Sequence, residues 1–408
     1  MNSLCRHFRL GFTFTCAATL AGAATLRVAN PAEATAAAAR AIAGDEVVLA
    51  DGEYPDLTLK LAGKGTAAQP ITLRAERPGG AVVTGSPGLE VTGEHIVIQD
   101  LAFRGCTFKP GTRGAVNFNG AAHSRVTGCT FERSTLPGGV AVVSFRNGAR
   151  DNRVDHCRFL QTRYRCVVVV VDDQALKAGP PRRNRIDHNL FQDVPPLKAN
   201  GAETIQIGQR AIPHSDLRPE TIVEDNEFIR CDGEAEIISV KTSGNTIRNN
   251  RFRDCQGELV MRHGHENTLT GNHFEGGSGG IRISGHGHIV TGNTMVRCRG
   301  TGIRLYFGTP DLKHPASYLP VYDCVIAENT VTDCGKAGIL VGDAKNARHV
   351  DQKWAGKPWF ANAVMECTVA PYRNRITRNS ITGVKDRLIK VDAAPDNTIE
   401  GNTLLERP

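Results

Sequence analysis

Residues 234 to 274 read EAEIISVKTSGNTIRNNRFRDCQGELVMRHGHENTLTGNHF. Glu234 and Glu236 stand two apart, Lys241 follows, and Arg262 and His263 come as a pair. Upstream, NGAETIQIG carries Asn200 and Glu203. Residues two apart on an extended segment point to one side, so Glu234 and Glu236 share a face. With Asn200 and Glu203 they make four oxygen donors. Carboxylates so crowded repel and favour protonation unless a cation lies among them, and hard oxygen ligands suit Ca2+. A metal, a lysine and an arginine together suit β-elimination on a uronate polysaccharide. The ion neutralises the C5 carboxylate, Lys241 removes the C5 proton, and Arg262 meets the leaving O4. Arginine gives up a proton reluctantly, so a water or His263 would share that task. The plainer alternative is that the acids only form salt bridges to Lys241 or Arg262. The odd offset from Glu236 to Lys241 also demands a corner or bulge if both are to face one cleft.

These residues meet only if distant segments stack, and a repeat supplies the means. An aliphatic residue, Asn or Cys three later, and an apolar residue two further on recur in SRVTGCTF, NRVDHCRF, NRIDHNLF, TIVEDNEF, NTIRNNRF, NTLTGNHF, HIVTGNTM, CVIAENTV, NRITRNSI and NTIEGNTL. Successive copies lie 21 to 50 residues apart. This is the mark of an all-β chain wound as a right-handed parallel β-helix, with stacked Asn at the corners and loops in the longer spacings. Coils about 4.8 Å apart then turn spacing into geometry. The spacing predicts an outward cationic column of Gln206, Lys241, Arg262, Arg282 and Arg304, each after an inward aliphatic residue. Such a column repels itself unless an anion lies along it. Tyr306 and the segment 307–320 follow Arg304, and 342–367 carries Trp354 and Trp359 with Lys353 and Lys357; both insertions are expected to wall the groove.

Most of the cysteines keep the same register. Cys106, Cys231, Cys255, Cys298 and Cys334 fall three residues after the last apolar residue of a copy, and Cys129 and Cys157 replace the corner Asn. A ladder of buried thiols is expected, with a Cys129–Cys157 disulfide allowed but not required. NPAEATAAAARAIAGDE, 30–46, predicts a capping helix with Asn30 as N-cap and Pro31 at its first turn, running to Gly44. Residues 1–23 have Arg6 and Arg9, an apolar run and Ala-Gly-Ala, as a secretory leader does; Cys16 is a poor lipidation site. Its removal takes the formal charge from +7 to +5. No later apolar run is long enough to span a membrane. The expectation is one β-helix domain over 24–408, secreted or periplasmic, with an acidic polysaccharide and no nucleic acid as partner. The sequence specifies no oligomeric state.

The blocks NGAETIQIG, EAEIISVK and MRHG, with GTAAQPITLRAERPGGAVVTG at 65–85, resemble the signature blocks of polysaccharide lyase family 6, which holds the alginate lyases and chondroitinase B. The resemblance implies the β-helix, Ca2+ dependence, Lys241 as base and Arg262 as acid. It also implies Asn200, Glu234 and Glu236 as metal ligands with Glu203 a fourth. Apart from the resemblance, His263, Arg282, Arg304, Tyr306 and Gln206 are expected along the substrate. In chondroitinase B the Glu203 position looks like glycine, so its presence leans toward alginate. A chondroitin or dermatan sulfate lyase, a mannuronan epimerase and a non-catalytic glycan-binding β-helix remain alternatives.

Overall fold

Each pass of the chain lays one short strand on each of three parallel sheets, of 14, 13 and 12 strands, and their stacking makes a right-handed parallel β-helix. The computed structural model describes residues 22–209, 212–312, 317–350 and 364–406. Parallel strands buried on one face read as short apolar alternations, and one continuous core runs from Val28 to Ala394. Its backbone is a stack of phenylalanines, Phe103, Phe131, Phe159, Phe191, Phe228, Phe252 and Phe274, with ring centroids 4.4 to 4.9 Å apart.

The corners explain the motif. The residue before each corner Asn is left-handed, as at Asp225 (φ 54°), Asn249 (φ 55°) and Gly271 (φ 65°). That conformation costs an ordinary side chain about 1–2 kcal/mol, and the Asn ladder offsets it. Asn226 Nδ2 donates to Asn250 Oδ1 at 3.0 Å, and Asn250 Nδ2 donates to Asn272 Oδ1 at 3.0 Å. The Asn250 amide also donates to Val223 O of the coil below. Cys129 and Cys157 begin this ladder, and the ten cysteines among the described residues are buried free thiols. A second ladder went unforeseen. The Asn that opens many copies stacks as well: Asn152 donates to Asn184, and Asn245 to Asn267, each at 3.0 Å.

The capping helix forms at Pro31–Arg40, with Asn30 Oδ1 accepting from Glu33 N. Ala34, Ala37 and Ala38 close the end of the core. It stops short of the expected Gly44. Ala41 is already extended, and Asp45 Oδ2 takes the Ile42 N–H that another helical turn would have used. No described helix is long and apolar enough to cross a membrane.

Asn250→Ala should lower unfolding stability by about 1–3 kcal/mol, because the buried Asn226 amide loses its acceptor. Arg251→Ala, on the exposed outer face, should change it by about 0.5 kcal/mol or less. Chemical denaturation of the two variants checks this; equal stabilities would deny the ladder its role.

Candidate active site

The site lies on the outer face of the 12-stranded sheet, across Ile205–Ile207, Glu236–Lys241, Glu258–His263, Ile281–Ile283 and Ile303–Tyr306. Register corrects the expected column. Gln206 pairs with Ser239, Ser239 with Val260, Val260 with Arg282, and Arg282 with Arg304. Lys241 and Arg262 therefore stand beside this row rather than in it. Each lies two residues beyond the row's member in its own strand, Ser239 or Val260, and two irregularities between the 236–241 and 258–263 strands set how the two meet. Ile237 is an extra residue in the lower strand and turns into the core. That resolves the odd offset, since Glu236 and Lys241 can both face outward. Arg262 is the extra residue in the upper strand, between Met261 and His263. Gly208 lies against the stem of Lys241. At φ +91° it suits glycine, and a Cβ there would come within 3.2 Å of Lys241 Cβ and 2.8 Å of Thr242.

Glu203, Glu234 and Glu236 converge, with one oxygen from each within 4.8 Å of the others. Glu203 is buried, accepting from Lys241 Nζ at 3.0 Å and from Arg165 Nε at 2.8 Å. Burial works against its charge, but Lys241 and Arg165 outweigh it and draw its pKa down to about 2. Glu234 goes the other way. Burial, then the negative charge of Glu203, pushes it up to about 7. Its Oε2 accepts from Gly201 N at 2.9 Å, while its Oε1 is buried with no partner. An orphaned carboxylate oxygen facing two other carboxylates fits a hard divalent cation. Asn200 is exposed on the turn whose next residue, Gly201, bonds Glu234.

Arg262 leans over the Tyr318 ring at 3.8 Å, and its Nη1 donates to Ser317 O at 3.2 Å. His263 is buried beneath, its Nε2 2.6 Å from Ser317 O. Burial and the Arg262 charge hold its pKa well below the usual imidazole value. A neutral ring with Nε2–H donating to Ser317 O leaves Nδ1 bare, in accord with its lack of a partner. Tyr318 stacks on Tyr306 at 5.4 Å, so the end of the 307–320 insertion packs onto the site; residues 313–316 lie outside the described residues. So do Lys353, Trp354, Lys357 and Trp359 of the second insertion.

Arg282 and Arg304 are not bare cations. Arg282 pairs with Glu236, and Arg304 with Glu258 and with Asp343 at 2.9 Å, each Glu lying two coils below its arginine. Tyr306 sits 5.4 Å from both guanidinium carbons. Gln206 is buried, donating to Gly208 O. Spacing missed Arg165, Glu258, Ser317 and Tyr318. Arg165 heads RCVVVVV, which reads as pure core; strict alternation would set it inward with Val167, Val169 and Val171, and it meets Glu203 because Cys166 and Val167 both turn into the core.

A parallel β-helix carrying acids, a lysine and an arginine on one outer face is the architecture of a polysaccharide lyase. The chain belongs to the chondroitinase B family, whose model matches residues 28–394, and its fold neighbours place it in polysaccharide lyase family 6. It is 29% identical to a mannuronic acid specific family 6 lyase from human gut microbiota, over 91% of this chain and 83% of that one, with a TM-score of 0.75. It is 28% identical to the family 6 alginate lyase AlyGC, over 93% of this chain and 51% of that one, with a TM-score of 0.79. The fold also matches a family 6 lyase from Pseudopedobacter saltans at 24% identity, over 94% and 92% of the two chains, with a TM-score of 0.71. No curated protein sequence matches.

Glu234 sets a pH dependence in metal-free protein. Its folded pKa is raised to about 7, above the ordinary 4.5. The folded state therefore holds more protons than the unfolded state between these values, and stability falls as pH rises through that window. Thermal unfolding after chelation should show this decline. Glu234→Gln should flatten it and should abolish stabilisation by added divalent cation.

Proposed function

We propose that this protein is an alginate lyase that cleaves the 4-O-glycosidic bond by Ca2+-assisted β-elimination. The observation that carries the reading is Lys241 Nζ, 3.0 Å from Glu203 Oε1 at the edge of a three-carboxylate cluster, with Arg262 in the next strand. Support for alginate comes from the neighbours named above, two of which are described as lyases of alginate or of mannuronic acid. Glu203, Glu234 and Glu236, with Asn200 on the adjoining turn, would hold the ion. When bound it would neutralise the uronate carboxylate, acidify the C5 proton and stabilise charge that develops as the proton leaves.

The chain's own residues then divide the work. Lys241 in its unprotonated form takes the C5 proton at Nζ. The C5 electron pair becomes the C4–C5 double bond, and the C4–O4 bond breaks. Glu203 keeps Arg165 as partner whether or not Lys241 carries a proton, so the base can cycle without stranding a buried carboxylate. Arg262 hydrogen-bonds the departing O4, and a water supplies its proton. His263 donates its Nε2–H to Ser317 O from below and so steadies the carbonyl that Arg262 also bonds. Arg282, Tyr306 and Arg304 continue the face along which the polymer lies. The leader at residues 1–23 supports action outside the cytoplasm; residues 1–21 lie outside those described.

Incubation with block-defined alginates should yield unsaturated uronate ends, read by ultraviolet absorbance, and chelation should remove the activity. Lys241→Ala should lower kcat by about 100- to 10,000-fold, the usual worth of a general base, with the polymer still bound. Product from dermatan sulfate and none from alginate would favour the chondroitinase alternative. Altered uronate stereochemistry without chain cleavage would favour an epimerase.

A further inference from the structure

The outward position occupied by Lys241 continues toward the N-terminal end of the same sheet. Val240 lies over Ile207, Ile207 over Val169, and Val169 over Phe145. The residues that follow these therefore stack as Lys241, Gly208, Val170 and Arg146. Arg146 stands three coils from Lys241, on the order of 14 Å at strand spacing. Val170 and Gly208 place no charge between them.

Arg146 differs from the other arginines of this face. Arg165 is paired with Glu203, Arg282 with Glu236, and Arg304 with Glu258. Among the described residues Arg146 has no salt bridge; its Nε is buried without an acceptor, as are those of Arg282 and Arg304, but unlike them it has no carboxylate on its other nitrogens. It is half-buried, and burial followed by the nearby Arg113 guanidinium works against its charge. Asp172 is the acid that acts on it, but it forms no salt bridge with Arg146, and its Oδ1 accepts from Gln174 N at 3.0 Å and Ala175 N at 3.4 Å of its own turn. Arg113 is exposed on the segment whose carbonyl accepts from Ser144 Oγ, and it also borders a hollow of ≈ 220 Å³ lined by Glu90, Asn117 and Thr112. Two like charges held together, one partly desolvated and unpaired, are unfavourable in the free protein and are relieved by an anion.

We propose that Arg146, assisted by Arg113, is a remote subsite that binds a uronate carboxylate of the polysaccharide several sugar units from the scissile bond. The proposal rests on the reading of the protein as a lyase of uronate polymers. A charge-assisted pair at this distance touches no reacting atom, so it acts on binding of long chains alone. It gives the enzyme a preference for polymer over short fragments and places the cleavage point away from chain ends.

The test compares wild type, Arg146→Ala and Arg146→Lys on polymeric alginate and on trimers, with thermal unfolding as a check on folding. Arg146→Ala should lose about tenfold in kcat/KM on polymer, through KM, as expected for a hydrogen bond to a charged group. It should leave trimer cleavage unchanged, and Arg146→Lys should recover part of the loss. An equal fall on both substrates, or no fall on polymer, would overturn the subsite. A second arm measures retardation of Lys241→Ala and Lys241→Ala/Arg146→Ala in gels containing alginate. If wild type cleaves no uronate polymer, the lyase reading fails by itself. The gel then decides the subsite separately, because equal mobility of the two variants would refute it and weaker retardation of the double variant would sustain it.

Discussion

In the three long sheets each strand must pair with the strand one coil below it. Parallel strands have no other partner for their backbone N–H and C=O groups, and an unmade buried hydrogen bond costs about 1–3 kcal/mol. That constraint fixes the Phe stack and both Asn ladders, and it sets the rise from coil to coil. It also makes the candidate site, because residues dozens of positions apart are held a single strand spacing from each other. The left-handed corners are the local cost of closing each coil, and the amides of Asn226, Asn250 and Asn272 bind that corner to the next.

The site arises where register is broken. Ile237 and Arg262 are each one residue too many, one in the lower strand and one in the upper. The first lets Glu236 and Lys241 point the same way across an odd interval. The second swings Arg262 out while His263 turns in beneath it. Bulges of this kind re-aim side chains next to functional sites in many sheets. Gly208 leaves the space into which the Lys241 stem settles.

Charge is arranged with equal economy. Burial alone would protonate all three carboxylates, and their mutual repulsion adds to that pressure. Glu203 escapes through Lys241 and Arg165, and Glu236 through Arg282, then Lys241 and Arg262, with a hydrogen bond from Ser239. Glu234, with one backbone donor and one bare oxygen, carries the remaining frustration. A cluster two-thirds neutralised by its own cations and one-third open is suited to take up a cation without being locked shut.

The fold was legible because its signal is repeated: the aliphatic, Asn and Phe positions recur through most coils, and inward alternation admits one reading. The acids at 203, 234 and 236 were legible for the same reason, Glu203 lying one coil below the Glu234 and Glu236 pair. Lys241 and Arg262 were recognisable by type and by motif, yet the column drawn through Gln206 was wrong. Counting residues from coil to coil does not fix strand register: Gln206 lies level with Ser239, two short of Lys241, and Arg282 lies level with Val260, two short of Arg262. The pairing of Arg282 and Arg304 with acids two coils below, and the burial of His263 under Ser317, depend on which rotamers fit between neighbouring coils. Composition and spacing thus determined the coil and its chemistry-bearing types. Only the tertiary structure decided which charges are neutralised and which stay free, because that is set by separations of a few ångströms across strands, on which linear order has no hold.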